Sequence, residues 1–144
     1  NVIAGEAHLS GTTRAFDQTT REFLEKRVRE IVETVPKAFG GRGEFQFLKG
    51  YPVTINDEVV TARLKPIFEG VVGAQNVEPF EPTLGAEDMS MVFEHVPGCY
   101  FFVGGRNEKI DAVYPHHHPK FNICESSLYV GTQAMVAAVR ELLS

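Results

Sequence analysis

The segment Ala7-His8-Leu9-Ser10-Gly11-Thr12-Thr13-Arg14-Ala15-Phe16-Asp17 alternates with a two-residue period. Ala7, Leu9, Gly11, Thr13 and Ala15 fall on one face of an extended chain, and His8, Ser10, Thr12, Arg14 and Phe16 on the other, the pattern of a half-buried strand. Asp17 then offers a carboxylate to the free amides of a first helical turn. Leu24, Val28, Ile31, Val32, Val35 and Phe39 follow at helical spacing, with Glu and Arg between them on the outer face. Pro36 kinks or ends this helix near Val35, and Gly40 and Gly41 supply a stop. Glu44 to Tyr51 reads as a second strand with Phe45 and Phe47 on one face. The first fifty residues are expected to run β-α-β.

The turn-rich link Gly50-Tyr51-Pro52-Val53-Thr54-Ile55-Asn56-Asp57 changes the composition and leads into a second helix. Asn56 or Asp57 caps that helix, Val60, Leu64, Ile67, Phe68 and Val71 form its apolar stripe, and Pro66 implies a kink. A short strand near 76–80, a helix over 87–96 and a buried strand over 98–105 follow. The final helix, about 126–143, carries small residues (Gly131, Ala134, Ala137, Ala138) suited to close packing against a sheet. The link near residues 50–55 divides the chain into two pieces, each short for a domain.

At 144 residues with 43% hydrophobic side chains, the chain has the length and composition of one ordinary domain. A formal net charge of −5, with no basic run, argues against nucleic-acid binding. No stretch approaches the ~20 apolar residues that span a bilayer. Two cysteines, Cys99 and Cys124, make no disulfide framework, so a reducing cytoplasm is the expected compartment. The first residue is Asn, from which an incomplete gene product is expected.

Tyr114-Pro115-His116-His117-His118-Pro119-Lys120-Phe121 holds three of the five histidines in a proline-bounded loop. Neutral imidazole is the commonest protein ligand for zinc, and a rigid loop positions a ligand well. Adjacent side chains diverge in such a loop, so at most one or two of the three can share an ion. Alone, the segment reads equally as a metal-binding loop or a solvated histidine cluster. Asn1-Val2-Ile3 and Arg14 offer an amide and a carboxylate-matched fork, though spacing alone favours an exposed loop asparagine and strand arginine. Leu84-Gly85-Ala86-Glu87-Asp88-Met89 reads first as acidic residues opening a helix.

In this order, Asn-Val-Ile, Gly-Thr-Thr-Arg-Ala-Phe-Asp, Gly-Tyr-Pro, Gly-Ala-Glu-Asp-Met and His-His-His-Pro-Lys-Phe resemble the second half of the metal-dependent amidohydrolases. That family includes hippurate hydrolase, the N-acyl-amino-acid amidohydrolases and relatives of aminoacylase and glutamate carboxypeptidase. The resemblance covers essentially the whole chain. It implies an α/β fold: part of a zinc-peptidase-like catalytic domain, interrupted by a ferredoxin-like lid or dimerisation domain. Residues 1–52 would be the second β-α-β half of the lid, and residues 53–144 the C-terminal part of the catalytic domain.

By the same resemblance, His117 is the family's last metal ligand, in its His-x-Pro-x-Phe pattern. His116 stands where an apolar residue is usual, and His118 is not a ligand. Asn1 and Arg14 match the substrate-binding positions, toward the amide oxygen and the free carboxylate. No general base falls within this chain, and the other ligands belong upstream. Ala4 stands where the family usually has Pro, and Cys124 where it often has Asp. The implied cofactor is a divalent metal, zinc first, with manganese, cobalt or nickel as alternatives and one or two ions per site. The implied partners are the N-terminal half of the same enzyme, an N-acyl amino acid substrate and a second copy through the lid. The implied reaction is amide hydrolysis by a metal-activated water. The rival is a non-catalytic module for association that binds metal incidentally.

Overall fold

The computed structural model describes all residues from Asn1 to Ser144. Its elements are four α-helices, α1 Gln18–Thr34, α2 Glu58–Val72, α3 Met89–Phe93 and α4 Ser126–Leu142, with three short 3-10 turns. The chain divides into two compact units: Asn1–Val53 with Pro82–Met91, and Thr54–Glu81 with Val92–Ser144. The return of residues 82–91 to the first unit has no counterpart in the sequence pattern.

In the first unit, Asp17 caps α1 with both carboxylate oxygens. One accepts from the Thr20 amide and the other from the Thr20 hydroxyl, each at 2.7 Å. These bonds, the amide first, hold the Asp17 carboxyl below its ordinary range. The helix ends at Thr34, where Pro36 diverts the chain into a 3-10 turn over Val35–Phe39. Gly40 closes the turn in the left-handed region, at φ 75°. The chain then doubles back across α1 at backbone contact. A Cβ on Gly43 would lie 1.9 Å from the Val32 carbonyl oxygen, so only glycine fits. Beyond it Phe45 and Phe47 are half-buried while Glu44, Gln46 and Leu48 are exposed. The Arg29 guanidinium of α1 sits 4.8 Å from the Phe45 ring centre.

The strands expected over 7–16, 44–51, 76–80 and 98–105 do not form. No ladder joins any two of these segments, and the one β-bridge pairs Asn107 with Ala112. Alternating burial needs only a chain lying against a helix, and residues 43–48 have that in their contacts with Val32 and Arg29 of α1. A strand also needs a ladder of bonds to a second backbone about 4.8 Å away, and none of these segments has one: residues 98–105 take only single backbone bonds, from Asp57 and Cys124. Around 76–80 the chain forms instead a 3-10 turn over Ala74–Asn76, and α3 is shorter than the helix expected over 87–96.

In the second unit, Asp57 caps α2 by accepting from the Val60 amide at 2.8 Å, and the helix runs through Pro66. The small residues of α4 meet α2, where a sheet was expected. Leu64, Ala134 and Ala138 are buried between the two helices. Arg63 ties the pair further along, its Nε 2.8 Å from the Glu141 carboxylate and its guanidinium also donating to the Glu141 carbonyl. Asn56 does the work of a neighbouring strand for Tyr100. Its carboxamide accepts from the Tyr100 amide at 2.7 Å and donates to the Tyr100 carbonyl at 2.8 Å. Aromatic pairs Phe68–Phe101 and Phe80–Phe102, with ring centres 4.6 and 4.3 Å apart, extend this packing.

Little of the chain is shielded from water. Leu64, Ala112, Ala134 and Ala138 are the only buried apolar residues, and the accessible surface is 12007 Å². Two separate compact bodies of these sizes would expose about 9,000 Å². No helix is long and apolar enough to cross a membrane.

Candidate metal-ligand loop and substrate contacts

The histidine loop is an excursion of the second unit closed at its base. The Cys124 amide donates to the Gly105 carbonyl at 2.8 Å, and Asn107 and Ala112 exchange both backbone bonds at 2.9 and 3.0 Å. The Asn107 side chain links the two closures. Its Oδ1 accepts from the Lys109 amide at 3.0 Å, and its Nδ2 donates to the Cys124 sulfur at 3.3 Å. Cys124 also lies 3.1 Å from the Ser126 hydroxyl, and these side-chain bonds, Ser126 first, draw its thiol below the usual range. Where the resemblance led one to look for Asp, a thiol thus takes hydrogen bonds that suit an anion.

Within the loop the three histidines differ. His116 meets Phe121 edge-on with ring centres 4.9 Å apart, and His118 stacks on Tyr114 at 4.4 Å and 11°. His117 has no hydrogen bond, ion pair or ring contact, and its side chain is exposed. Its backbone lies in the left-handed region at φ 68°, which only Asp111 shares among the non-glycine residues. A histidine held there costs about 1–3 kcal/mol and persists where neighbouring bonds fix it. An open groove of about 560 Å³ runs beside the loop, with Val103, Ala112, Tyr114, His116, Phe121 and Leu128 in its walls.

The donor chemistry tests whether a metal fits here. Both ring nitrogens of His117 are without a hydrogen-bond partner, so its imidazole fits as one ligand. No group of three or more His, Cys, Asp or Glu side chains converges anywhere in the chain. A hydrolytic zinc site takes three protein ligands and an open position, so the residues present do not make a complete site, and His117 would be one donor to it.

Arg14 and Asn1 belong to the first unit. Arg14 donates from Nη1 to the Leu84 carbonyl at 2.6 Å, which brings it to the start of the Leu84-Gly85-Ala86 segment. One of its five N–H groups is used there and the fork stays exposed. Asn1 is exposed and has no hydrogen-bond partner, so nothing in the structure joins it to Arg14.

Three contributors escaped the sequence reading. Arg21 reaches from α1 to the Gly50 carbonyl at 2.7 Å and so holds the Gly50-Tyr51-Pro52 motif. Gly43 permits the close return over α1, and Asn107 ties the base of the histidine loop. The last had a signal, since Asn after Gly104-Gly105-Arg106 is a turn former. An arginine on a helix face gives none.

The profile of peptidase family M20/M25/M40 matches residues 6–141. Among similar proteins, thermostable carboxypeptidase 2 of Saccharolobus solfataricus is 36% identical over 93% of this chain and 34% of its own. An IAA-amino acid hydrolase ILR1-like 6 of Arabidopsis thaliana is 34% identical over 92% of this chain and 29% of its own. An N-acetyldiaminopimelate deacetylase of Streptococcus suis is 33% identical over 89% of this chain and 33% of its own. The chain thus spans about a third of the length of the curated relatives it matches. No solved structure matches it. Motif order and a family match running almost from end to end agree: the chain belongs to peptidase family M20/M25/M40, a family of hydrolases with a peptidase-like α/β fold.

Proposed function

We propose that this chain is the C-terminal portion of a metal-dependent hydrolase that cleaves the amide bond of N-acyl amino acids or related amides. The family match over residues 6–141 carries the reading. The relatives' names agree with it, since an N-acetyldiaminopimelate deacetylase and an IAA-amino acid hydrolase both imply an acyl group on an amino acid. Residues 1–52 serve as the second half of the lid, through which two copies associate, and residues 53–144 complete the catalytic domain in the cytoplasm.

The surface supports this division of labour. About 3,000 Å² more is exposed than two compact bodies of these sizes require, so a covering remainder of the polypeptide is called for. In a ferredoxin-like lid the third and fourth strands are separated by the first. Segments 7–16 and 44–51 form no ladder with each other, which is in keeping with that order.

His117 contributes the loop's ligand. A divalent metal, zinc by preference of imidazole, supplies a polarised carbonyl and a water acidified toward neutrality. Arg14, anchored on the Leu84 carbonyl, turns its free N–H groups to the substrate's carboxylate and fixes the amino-acid end. Asn1 donates its amide to the oxygen that gains charge when the scissile carbonyl is attacked. The test is hydrolysis of a panel of N-acyl amino acids by the full-length enzyme, before and after chelation and metal repletion. Metal-restored cleavage is expected. No cleavage of any N-acyl amino acid at full metal loading would overturn the proposal in favour of an association module.

A further inference from the structure

We infer that His118 is a positioning residue: its ring and its backbone hold the turn that presents His117. Every hydrogen bond within residues 114–121 involves His118. Its amide donates to the Pro115 carbonyl at 3.2 Å, and its carbonyl accepts from the Phe121 amide at 2.8 Å. Its Nδ1 accepts from the Lys120 amide at 3.1 Å. A ring nitrogen accepts only when it carries no proton, so this bond assigns the tautomer with hydrogen on Nε2.

The same ring lies flat on Tyr114, and the Lys120 ammonium stands 5.4 Å from the Tyr114 ring centre. Tyr114 is therefore a platform on one limb of the loop that receives two residues of the other. His117 lies between the Pro115 bond and the Lys120 and Phe121 bonds, left-handed at φ 68° and with its own ring free. A non-glycine residue stays in that region only where its surroundings over-determine it. Here the determining bonds run through the histidine next to it. One neighbour fixes the turn and the other residue is left to bind.

The functional consequence, though not the turn itself, rests on His117 being a metal ligand. The test compares His118→Leu, which removes the acceptor, with His118→Asn, whose side-chain oxygen can accept from the amide two residues on. Hydrogen exchange over residues 115–121 is read in the metal-free full-length enzyme, and zinc affinity by chelator competition. The Leu variant should exchange roughly 2- to 10-fold faster at the Lys120 amide, the loss of one neutral hydrogen bond. Its zinc affinity should fall about 10- to 100-fold, as for other residues that orient a ligand. The Asn variant should restore both. Unchanged exchange in the Leu variant overturns the inference, and so does an Asn variant as impaired as Leu. Faster exchange with unchanged zinc affinity upholds His118 as holder of the turn and overturns its part in metal binding, while metal analysis of His117→Ala tests the ligand itself, so the two readings fail separately.

Discussion

If Arg14 clamps the carboxylate of an N-acyl amino acid, as proposed, replacing it by Ala separates binding of that carboxylate from the chemistry at the amide. In the structure Arg14 spends one N–H on the Leu84 carbonyl at 2.6 Å and leaves the rest of the fork exposed. A hydrogen bond to a charged partner contributes about 1.5–3 kcal/mol, which corresponds to ~10- to 150-fold in kcat/KM. That loss is expected for an N-acyl amino acid and not for the matching amide that lacks the carboxylate. Arg14→Lys keeps the charge but not the fork, and should fall between the parent and the Ala variant. Steady-state kinetics on the two substrates with the full-length enzyme is the assay. Equal losses on both would show that Arg14 merely secures the 84–86 segment through Leu84, and the clamp would be withdrawn.

Three further outcomes follow from the packing. Gly43→Ala must push its Cβ away from a carbonyl oxygen 1.9 Å distant, and should destabilise the first unit by about 1–3 kcal/mol in denaturant unfolding. An unchanged midpoint would mean that the chain does not cross α1 so closely. Leu64→Ala opens the only large buried apolar position, 4% exposed, and should cost about 2–5 kcal/mol. A loss well under 1 kcal/mol would contradict the α2–α4 contact. The 144-residue chain expressed by itself should associate through its unpaired segments 7–16 and 44–51 and run as oligomers on size exclusion. A monomer that unfolds cooperatively and binds zinc tightly would refute the inference that these segments need covering.

The helices were legible because their determinants are local. Asp17 announces its cap, Asn56-Asp57 announces one without saying which residue makes it, Pro36 and Gly40 announce a stop, and the stripe through Leu64 announces a buried face. The extended segments were legible only as alternation. Residues 43–48 keep that alternation without any partner strand, because side-chain period records which face is covered and not by what. The α4 small residues were read as facing a sheet and meet α2, since alanine allows close approach of either.

At the candidate site, motif order pointed to His117, whereas its neighbours' work could not be read from three identical letters. The stack of His118 on Tyr114 and the edge contact of His116 with Phe121 depend on how the turn folds. Arg21 and Gly50, twenty-nine residues apart, meet only once α1 and the returning chain are in place.

Metal analysis of His117→Ala beside His116→Ala, both in the full-length enzyme, tests the central claim most directly. His117 is exposed and uncommitted, while His116 is taken up by Phe121. The His117 variant should lose bound metal and turnover together, and the His116 variant should retain both. Full metal occupancy and parental activity in the His117 variant would contradict the account at its root.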